Sequence, residues 1–562
     1  MLTRVAERIV AHAPGAGVRR RAGGAPPRLR RHLPLLGHMA EFALNPMALL
    51  RRAVAQGGEV VEIDLLGQDV VLLTGPEAHE AFFRAPDDQL CRREAYKLMT
   101  PIFGEGVVFD AKGKRLDEQM KMVMGMLRDK RMRRYPPVLV DETRKELAGW
   151  GASGEVDLLG FMKELTLYTS SRCLVGDEFR GGMDAEFRRL YGDLEKGITP
   201  LAYLHPHLPL PSFRRRDAAR RELVGRVERI VEGRQAAGDN PDDGMQLLLE
   251  STYKSGERLT PHEITGILIA LMLAGHHTSA GTITWVLVEL LRHPEHLARV
   301  QAEVDAAWAS EGGETLSYDA IRQMPYLHLV AQEVLRLHPP LIFLFRKVLR
   351  DFEYGGYRIE AGKMLCASPG VAHRQESTFP HPDGFDPERF ARGEADNPFA
   401  FISFGGGKHK CAGNAFGLLQ LKALVATVLR DHELRLVDPP SSYRDDYNQA
   451  TVMPVGPVRI THRKRTPPKV AVPVPVETPT RPTLQLDPAQ PVRVRIDRQL
   501  CVGHAVCVSE APKIFRLAES GEAELIEAHP PAEQYALLAR AAEHCPNQAI
   551  VVEQGDERCP FH

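Results

Sequence analysis

The chain has 562 residues and a mass of 62.6 kDa, with 43% hydrophobic and 26% charged residues. This length exceeds what one hydrophobic core supports and predicts at least two domains, and the near-average composition argues against bulk disorder. Residues 1–495 carry an excess of five basic groups and residues 496–558 an excess of six acidic ones, which predicts two domains of opposite charge. The net charge of −1 does not favour a nucleic-acid partner.

The first 30 residues are rich in Arg, Gly, Ala and Pro, which predicts a loose leader. They lack the apolar stretch and cleavage site of a signal peptide. Because no run of about 20 apolar residues occurs in the chain, we expect no transmembrane anchor and a cytoplasmic location. The eight cysteines are scattered, with three clustered near the end, which favours metal or thiol chemistry over disulfides.

Residues 31–464 are mostly amphipathic helix, with strand-rich patches at 59–73 and 351–362. The pattern predicts a mainly α domain with minor β structure. The segment 264–291 is apolar on nearly every side yet carries His276, His277, Thr278 and Ser279 at its centre. A buried helix with a polar centre indicates a function there.

Two later motifs carry candidate chemistry. Glu333 and Arg336 are one helical turn apart, as in an ion pair that could simply lie on the surface. Cys411 ends a glycine-rich loop directly before an apolar helix, with the sequence FGGGKHKCAG. Glycines permit close approach to a flat cofactor, and amides at a helix start stabilise a thiolate, although a lone cysteine in such a place is often only a buried apolar residue.

Together these motifs resemble the cytochrome P-450 superfamily. The resemblance implies a triangular helical prism with small sheets and a haem b whose iron is bound by Cys411, with Phe404, Gly405 and Gly413 shaping the loop. It also implies that Glu333, Arg336 and Arg389 form a buried ion-pair network behind the haem, where a thiolate ligand favours O–O cleavage.

The polar centre of the long helix is more typical of sterol 14-alpha-demethylases. In the cytochrome P-450 superfamily an acid and an alcohol in this region relay protons to oxygen, and here His277 would take the place of the acid beside the catalytic Thr278. The alternative is two core histidines bonded to backbone carbonyls. The segment 95–111, AYKLMTPIFGEGVVFDA, resembles the substrate-recognition segment of the sterol 14-alpha-demethylases.

This family resemblance implies several binding residues. Tyr96, Arg346 and His409 would hold the haem propionates, with Arg115 as a weaker candidate. An apolar substrate pocket would be lined by Tyr96, Leu98, Met99, Phe103, Ala274 and Leu344, each of which could instead be core. The reaction implied is removal of a sterol 14-alpha-methyl group as formate through successive oxidations, each using one oxygen molecule and two electrons. Sterol entry would involve peripheral membrane contact.

Two rival functions are left open by the sequence. The enzyme could hydroxylate another terpenoid or lipid, or the chain could be a haem-binding redox sensor or electron carrier. The His277–Thr278 pair and the segment 95–111 argue against a sensor, which would need neither.

Residues 465–491 contain eight prolines and few large apolar side chains, which predicts an extended, semi-rigid linker. Beyond it, residues 492–558 predict a small α+β domain, with a strand at 492–497 and a helix at 531–544. Cys501, Cys507 and Cys545 have the spacing of a ferredoxin, and the domain resembles the 3Fe-4S class. His504 could be the fourth ligand of a 4Fe-4S cluster instead, and zinc is a further alternative that the spacing disfavours. Cys559 receives no ligand role.

The tail is predicted to be the immediate electron donor of the haem domain, because a tether raises its effective concentration. It would dock within its own chain or on another copy, at a basic face that includes Lys408, Lys410, Arg128, Lys130, Arg131, Arg133 and Arg134. Since a dinucleotide fingerprint is lacking, a separate NAD(P)H ferredoxin reductase is expected.

Overall fold

The computed structural model describes residues 24–30, 36–199, 202, 205–238, 240–466, 484–554 and 557–558. Most of the predicted leader and of the predicted linker lie outside these ranges. Two folded parts are described, one on each side of the linker.

The first part is dominated by helices, as predicted. In chain order they are α1 Met39–Leu44, α2 Pro46–Gly57, α3 Pro76–Arg84, α4 Arg92–Ala95, α5 Thr100–Phe103, α6 Gly113–Met126, α7 Asp129–Met132, α8 Tyr135–Leu147, α9 Leu158–Leu174, α10 Asp177–Gly181, α11 Ala185–Glu195, α12 Pro211–Ala237, α13 Gly244–Glu250, α14 Pro261–Arg292, α15 Pro294–Ser310, α16 Tyr318–Arg322, α17 Pro325–Leu337, α18 Pro369–Ala372 and α19 Asn414–Asp431.

The strands of this part form small sheets. They are β1 Val60–Leu65, β2 Gln68–Leu73, β3 Leu90–Cys91, β4 Ser153–Asp157, β5 Leu344–Val348, β6 Phe352–Tyr354, β7 Tyr357–Ile359, β8 Met364–Ala367, β9 His432–Leu436, β10 Asp445–Asp446, β11 Met453–Pro454 and β12 Arg459–Lys464. The largest sheet has the order β1-β2-β8-β5-β3, and the others are β4-β12-β9, β10-β11 and β6-β7. The two predicted strand patches are the antiparallel pairs β1-β2 and β6-β7.

Helix α14 is the centre of this part. It begins with a capping box, in which the Thr260 hydroxyl accepts from the Glu263 N–H and the Glu263 carboxylate accepts from the Thr260 N–H, and Pro261 follows the cap. The helix packs against α9, α12, α17 and α19. It is long and apolar enough to cross a membrane by length and composition, but burial against these helices accounts equally for that composition.

The second part is the predicted small α+β domain. Its helices are α20 Val506–Glu510 and α21 Tyr535–Glu543, and its strands are β13 Val492–Ile496, β14 Phe515–Leu517, β15 Ala523–Leu525, β16 Ile550–Gln554 and β17 Glu557–Arg558. The strands form the sheets β13-β16-β17 and β14-β15. Alternate residues of β13 and β16 join a core around Phe515 and Leu538, which are fully buried. The domain therefore has a core of its own.

Candidate functional site

The loop that ends at Cys411 presents its thiol directly before α19. Residues Gly407–His409 form a 3-10 turn, and the Cys411 N–H donates to the Phe404 carbonyl at 2.8 Å. Burial raises the pKa of the Cys411 thiol, whereas the Gly413 N–H and the charge of Lys410 act to lower it. The latter two groups are of the kind that stabilises a thiolate.

The glycines of this loop are needed because Phe83 of α3 packs against it. A Cβ at Gly406 would lie 2.8 Å from the Phe83 ring, and one at Gly407 would lie 2.4 Å from the Phe83 carbonyl oxygen. Gly405 has a φ of 70°, which L residues rarely adopt. At Gly406 and Gly407 the missing side chains therefore allow close contact with Phe83 and not with a cofactor.

Two basic side chains of the loop contact the carboxylate of Asp87. His409 Nε2 lies 2.6 Å from one carboxylate oxygen of Asp87, and Lys408 Nζ lies 2.6 Å from the other. Burial acts to raise the pKa of Asp87, but the contacts with His409 and Lys408 outweigh it and lower the pKa. Burial lowers the pKa of His409 to about 4, so its imidazole is neutral at pH 7.

Two guanidinium groups, one buried and one partly accessible, extend this cluster. Arg92 at the start of α4 and Arg346 in β5 interact with one another and with Asp87. Burial lowers the pKa of Arg92, and it lowers the pKa of Arg346 to about 10. Tyr96 lies beside them, and its hydroxyl accepts from the Phe345 N–H at 3.2 Å. Because Asp87 alone cannot balance two arginines and a lysine, the cluster suits further carboxylates.

Two accessible points lie inside the domain. Cys411 is exposed although its thiol is deep enough for burial to raise its pKa, and Ala274 is exposed at the middle of α14, where most neighbouring residues are half-buried. Accessible surface at such depth indicates an internal space. A thiol for iron and excess positive charge for two propionates are the donor set of a thiolate-bound haem, so the residues present fit this group.

The polar centre of α14 contacts α11. His277 Nε2 lies 2.6 Å from a carboxylate oxygen of Glu195, and His276 Nδ1 lies 3.4 Å from the same oxygen. Burial acts to raise the pKa of Glu195, but these hydrogen bonds lower it to about 2. The Thr278 hydroxyl donates to the Ala274 carbonyl at 2.5 Å. His277 and Thr278 thus have different partners, and the partner of His277 is a carboxylate rather than a backbone carbonyl.

Glu333, Arg336 and Arg389 form the expected network, and it is buried. Arg336 donates to both carboxylate oxygens of Glu333, at 2.7 and 2.8 Å, and Arg389 Nε lies 3.1 Å from Glu333. Arg389 is also paired with Glu394 at 2.6 Å. All three predicted members are at most 1% exposed, so the surface ion pair is excluded.

The predicted pocket residues differ in burial. Phe103 is buried and stacks on Phe109 with ring centroids 5.6 Å apart, and Leu98 is buried in a small cluster with Phe213. Met99, Leu344 and Ala274 keep accessible surface. Arg115, the weaker propionate candidate, forms an ion pair with Glu263 at 2.6 Å. This pairing favours a structural role for Arg115.

In the second domain, Cys501, Cys507 and Cys545 interact electrostatically with one another. Burial raises the pKa of Cys501 and raises that of Cys507 to about 12. Among the described residues, the one set of three metal-ligating groups with all ligand atoms within 4.8 Å is that of Glu195 and its two histidines. The three sulfurs are therefore spread more widely than the spacing of about 3.8 Å that one zinc ion imposes.

His504 lies between Cys501 and Cys507 and faces the first domain. It is buried, and its carbonyl accepts from the Asp129 N–H of α7 at 3.1 Å. Burial lowers the pKa of His504 to about 4, although the Leu127 backbone acts to raise it.

The second domain is docked on the face of the first that carries the Cys411 loop. Lys410 Nζ and Asn414 Nδ2 both donate to the Pro546 carbonyl, at 3.3 and 3.2 Å, next to Cys545. Leu500 and Ala549 join an apolar cluster that includes Phe83 and Phe399. The two cysteine motifs thus meet at one interface.

Ion pairs surround this contact. Arg84 binds Asp497 at 2.9 Å, and Arg322 binds Glu510 at 2.8 Å. Neither arginine belongs to the predicted basic face. Lys410 of that face contacts the second domain through the Pro546 carbonyl, and several of its other cations bind acids of the first domain. These pairs are Arg131–Asp242, Arg134–Asp242, Arg133–Asp129, Arg133–Asp319 and Lys408–Asp87.

The family model for cytochrome P450 matches residues 26–461. The chain belongs to the cytochrome P450 family. It is 44% identical to a sterol 14alpha-demethylase of Mycolicibacterium vanbaalenii over 76% of this chain and 96% of that protein, and 36% identical to a sterol 14-demethylase of Arabidopsis thaliana over 78% and 91%. A retinoic-acid-bound cyanobacterial CYP120A1 has the same fold, with a TM-score of 0.70 and 23% identity over 79% of this chain and 100% of that one.

A second family model, the 4Fe-4S single cluster domain, matches residues 494–552. The predictions of a P450 fold, of an oxygen-dependent monooxygenase of the sterol 14α-demethylase type and of a fused iron–sulfur domain are thereby confirmed. The family implies haem, and the ferredoxin-like domain fits the electron supply. The description of the second family does not confirm a 3Fe-4S cluster.

Sequence reasoning missed Asp87, Arg92 and Glu195. Arg92 lies four residues before Tyr96, a spacing that could have placed both on one side of a helical turn. Asp87 and Glu195 carry no local signal, because their histidine partners are 322 and 82 residues away.

Proposed function

We propose that this protein removes the 14α-methyl group of a lanosterol-like sterol as formate by successive oxidations, with electrons from its own C-terminal domain. The accessible Cys411 thiol inside the P450 domain carries the proposal. A haem bound at that sulfur supplies oxygen activation. Sequence identity to sterol 14α-demethylases supports the choice of substrate.

The residues around Asp87 would hold the haem propionates. Arg92 and Arg346 would offer positive charge and Tyr96 a hydroxyl donor, while the single N–H of neutral His409, which here binds Asp87, would turn to a propionate. Charge-assisted bonds of this kind orient a dianionic ring edge. Arg92 is an addition to the set that sequence reasoning proposed.

Glu195, His277 and Thr278 would carry protons. The Glu195 side chain is 24% exposed and therefore reaches solvent, and its carboxylate holds His277 Nε2. A proton taken up by His277 would pass to the Thr278 hydroxyl through a bridging water, because adjacent side chains of a helix do not face each other. The threonine is the member of this relay nearest the internal space, so it is the proposed catalytic alcohol.

The substrate pocket would be lined by Met99, Leu344 and Ala274, which keep accessible surface, together with Tyr96. Leu98 and Phe103 are buried in the same segment and would shape the wall behind them. A rigid apolar ring system suits such a lining.

Cys501, Cys507 and Cys545 would hold a 3Fe-4S cluster. His504 contacts α7 through its backbone carbonyl, which does not involve the imidazole, and a fourth iron on His504 is the alternative. Native mass spectrometry of the protein, carrying its clusters, gives the iron number. Three irons in both the unaltered chain and His504→Ala agree with the proposal, whereas four irons that fall to three in His504→Ala contradict it.

Electrons would enter from a separate NAD(P)H ferredoxin reductase and cross to the haem within one chain, because the docked interface places Pro546 against Lys410. Delivery between two copies is the alternative. We place the protein in the bacterial cytoplasm, with peripheral contact to membranes for sterol uptake.

Incubation of the purified chain with lanosterol, NADPH and a generic ferredoxin reductase tests the whole proposal. We expect a thiolate-type carbon monoxide difference spectrum, a demethylated sterol and formate. A hydroxylated product without formate would indicate a terpenoid or lipid hydroxylase, and no oxidation of any sterol would refute the assignment.

A further inference from the structure

Two buried amides meet where the domains touch. Asn414 and Asn547 are 3% and 2% exposed. Asn414 Nδ2 donates to Asn547 Oδ1 at 3.0 Å and to the Pro546 carbonyl at 3.2 Å, while Asn414 Oδ1 accepts from the Ala415 N–H at 2.7 Å. Asn547 Nδ2 donates to the Leu500 carbonyl at 2.9 Å. Each amide is thus bonded through both its oxygen and its nitrogen.

The position of this pair ties together the two cysteine motifs. Asn414 lies three residues after Cys411, in the first turn of α19. Its two partners are Pro546 and Asn547, which directly follow Cys545, and Asn547 in turn binds the carbonyl of Leu500, the residue before Cys501. One hydrogen-bonded chain therefore runs from the helix behind the haem ligand to both ends of the cluster motif.

A buried amide specifies position more strictly than the ion pairs around it. The Arg84–Asp497 pair is partly exposed, so either partner can be satisfied by water after a small shift. The amides of Asn414 and Asn547 exclude water, and a shift of the domain by one residue would leave them unpaired in the interface. Unpaired buried amides are costly, which makes one register preferred.

We propose that Asn414 and Asn547 form an amide lock that fixes the register in which the C-terminal domain docks, and so holds the Cys545–Pro546 segment against the Cys411 loop. Both are positioning residues, since neither is a ligand of iron. The inference rests on the proposed function, in which Cys545 holds the cluster and Cys411 the haem.

The test uses full-length protein with both cofactors bound. Stopped-flow measurement under carbon monoxide follows electron transfer from the reduced cluster to the haem, and chemical reduction with dithionite checks the haem itself. Hydrogen exchange of the Asp129 N–H, which donates to His504 across the interface, reports docking without turnover. The variants are Asn547→Ala, Asn414→Ala and both together, with Gln499→Ala as the matched amide control, because Gln499 is exposed at the rim and accepts from Arg84.

We expect each single variant to slow electron transfer by at least about tenfold and to speed exchange at Asp129 by a similar factor, since one buried hydrogen bond left unmade shifts docking by that order. The double variant should be no slower than the slower single, because the lock acts as a unit. Gln499→Ala should stay within about twofold of the unaltered chain.

Additive losses in the double variant, or unchanged transfer in Asn414→Ala, would overturn the lock. Asn414→Ala leaves the C-terminal domain unaltered, so it decides the matter even where Asn547→Ala loses its cluster. An unaltered chain that passes no electrons from cluster to haem would instead overturn the proposed function on which the lock rests.

Discussion

Replacement of Glu333 by glutamine removes one negative charge from the buried network without changing its size. Glu333 accepts from Arg336 at 2.7 and 2.8 Å, from Arg389 at 3.1 Å and from the Asp386 N–H at 2.8 Å. The amide group of a glutamine would instead point its two hydrogens toward these donor groups. Arg389 retains Glu394, but the other partners of Arg336 are the carbonyls of residues 373, 382 and 384, which carry no compensating charge.

The cost follows from this uncompensated charge. Removing one partner of a buried ion pair costs about 3–5 kcal/mol, a large part of the roughly 5–15 kcal/mol that stabilises a typical domain. Glu333→Gln should therefore lower the free energy of unfolding by about 3–5 kcal/mol, and the protein should lose haem at lower denaturant concentration.

Urea unfolding followed by haem absorbance and by circular dichroism measures the effect. Glu388→Gln is the matched control, because Glu388 pairs with Arg299 at 2.5 Å but its side chain is 36% exposed, so its loss should cost at most about 1 kcal/mol. Equal unfolding midpoints for the two variants would refute the reasoning.

Three further predictions concern the site. Cys411→Ser should keep the fold but lose both the thiolate-type carbon monoxide spectrum and sterol oxidation, and a persisting thiolate spectrum would assign the iron ligand elsewhere. Glu195→Gln should slow turnover by about 10²-fold with substrate-binding spectra unchanged, and unchanged turnover would exclude Glu195 from proton delivery. The pKa of Glu195 is about 2, below the ordinary 4.5, so the contribution of this carboxylate to stability is present above pH 4.5 and is lost as the pH falls toward 2. In acid unfolding, the difference in free energy of unfolding between Glu195→Gln and the unaltered chain should therefore be smallest at the lowest pH. A difference that increases as the pH falls would contradict this prediction.

Much of the site could be predicted because its signals are local. The Cys411 loop, the Glu333–Arg336 pair and the cysteines around His504 each occupy a few consecutive residues whose spacing reflects one turn of backbone. The strands at 59–73 and 351–362 were equally local, since each is a pair joined by a short turn.

The charge pattern was a weaker guide. The sequence predicted that the acidic tail meets a basic face, but Arg131, Arg133 and Arg134 bind acids of their own domain. A count of charges cannot tell which cations are already paired, because pairing depends on side chains brought together by folding.

The sequence alone determined the family and the long buried helix and supplied the proposed ligands of each metal group, because these depend on residue types at fixed short spacings. Tertiary structure alone decided that Glu195 binds His277, that Asp87 binds Lys408 and His409, and that Asn414 meets Asn547 across the interface. Such contacts join residues tens to hundreds of positions apart, and burial, which makes them strong, exists only once the chain has folded.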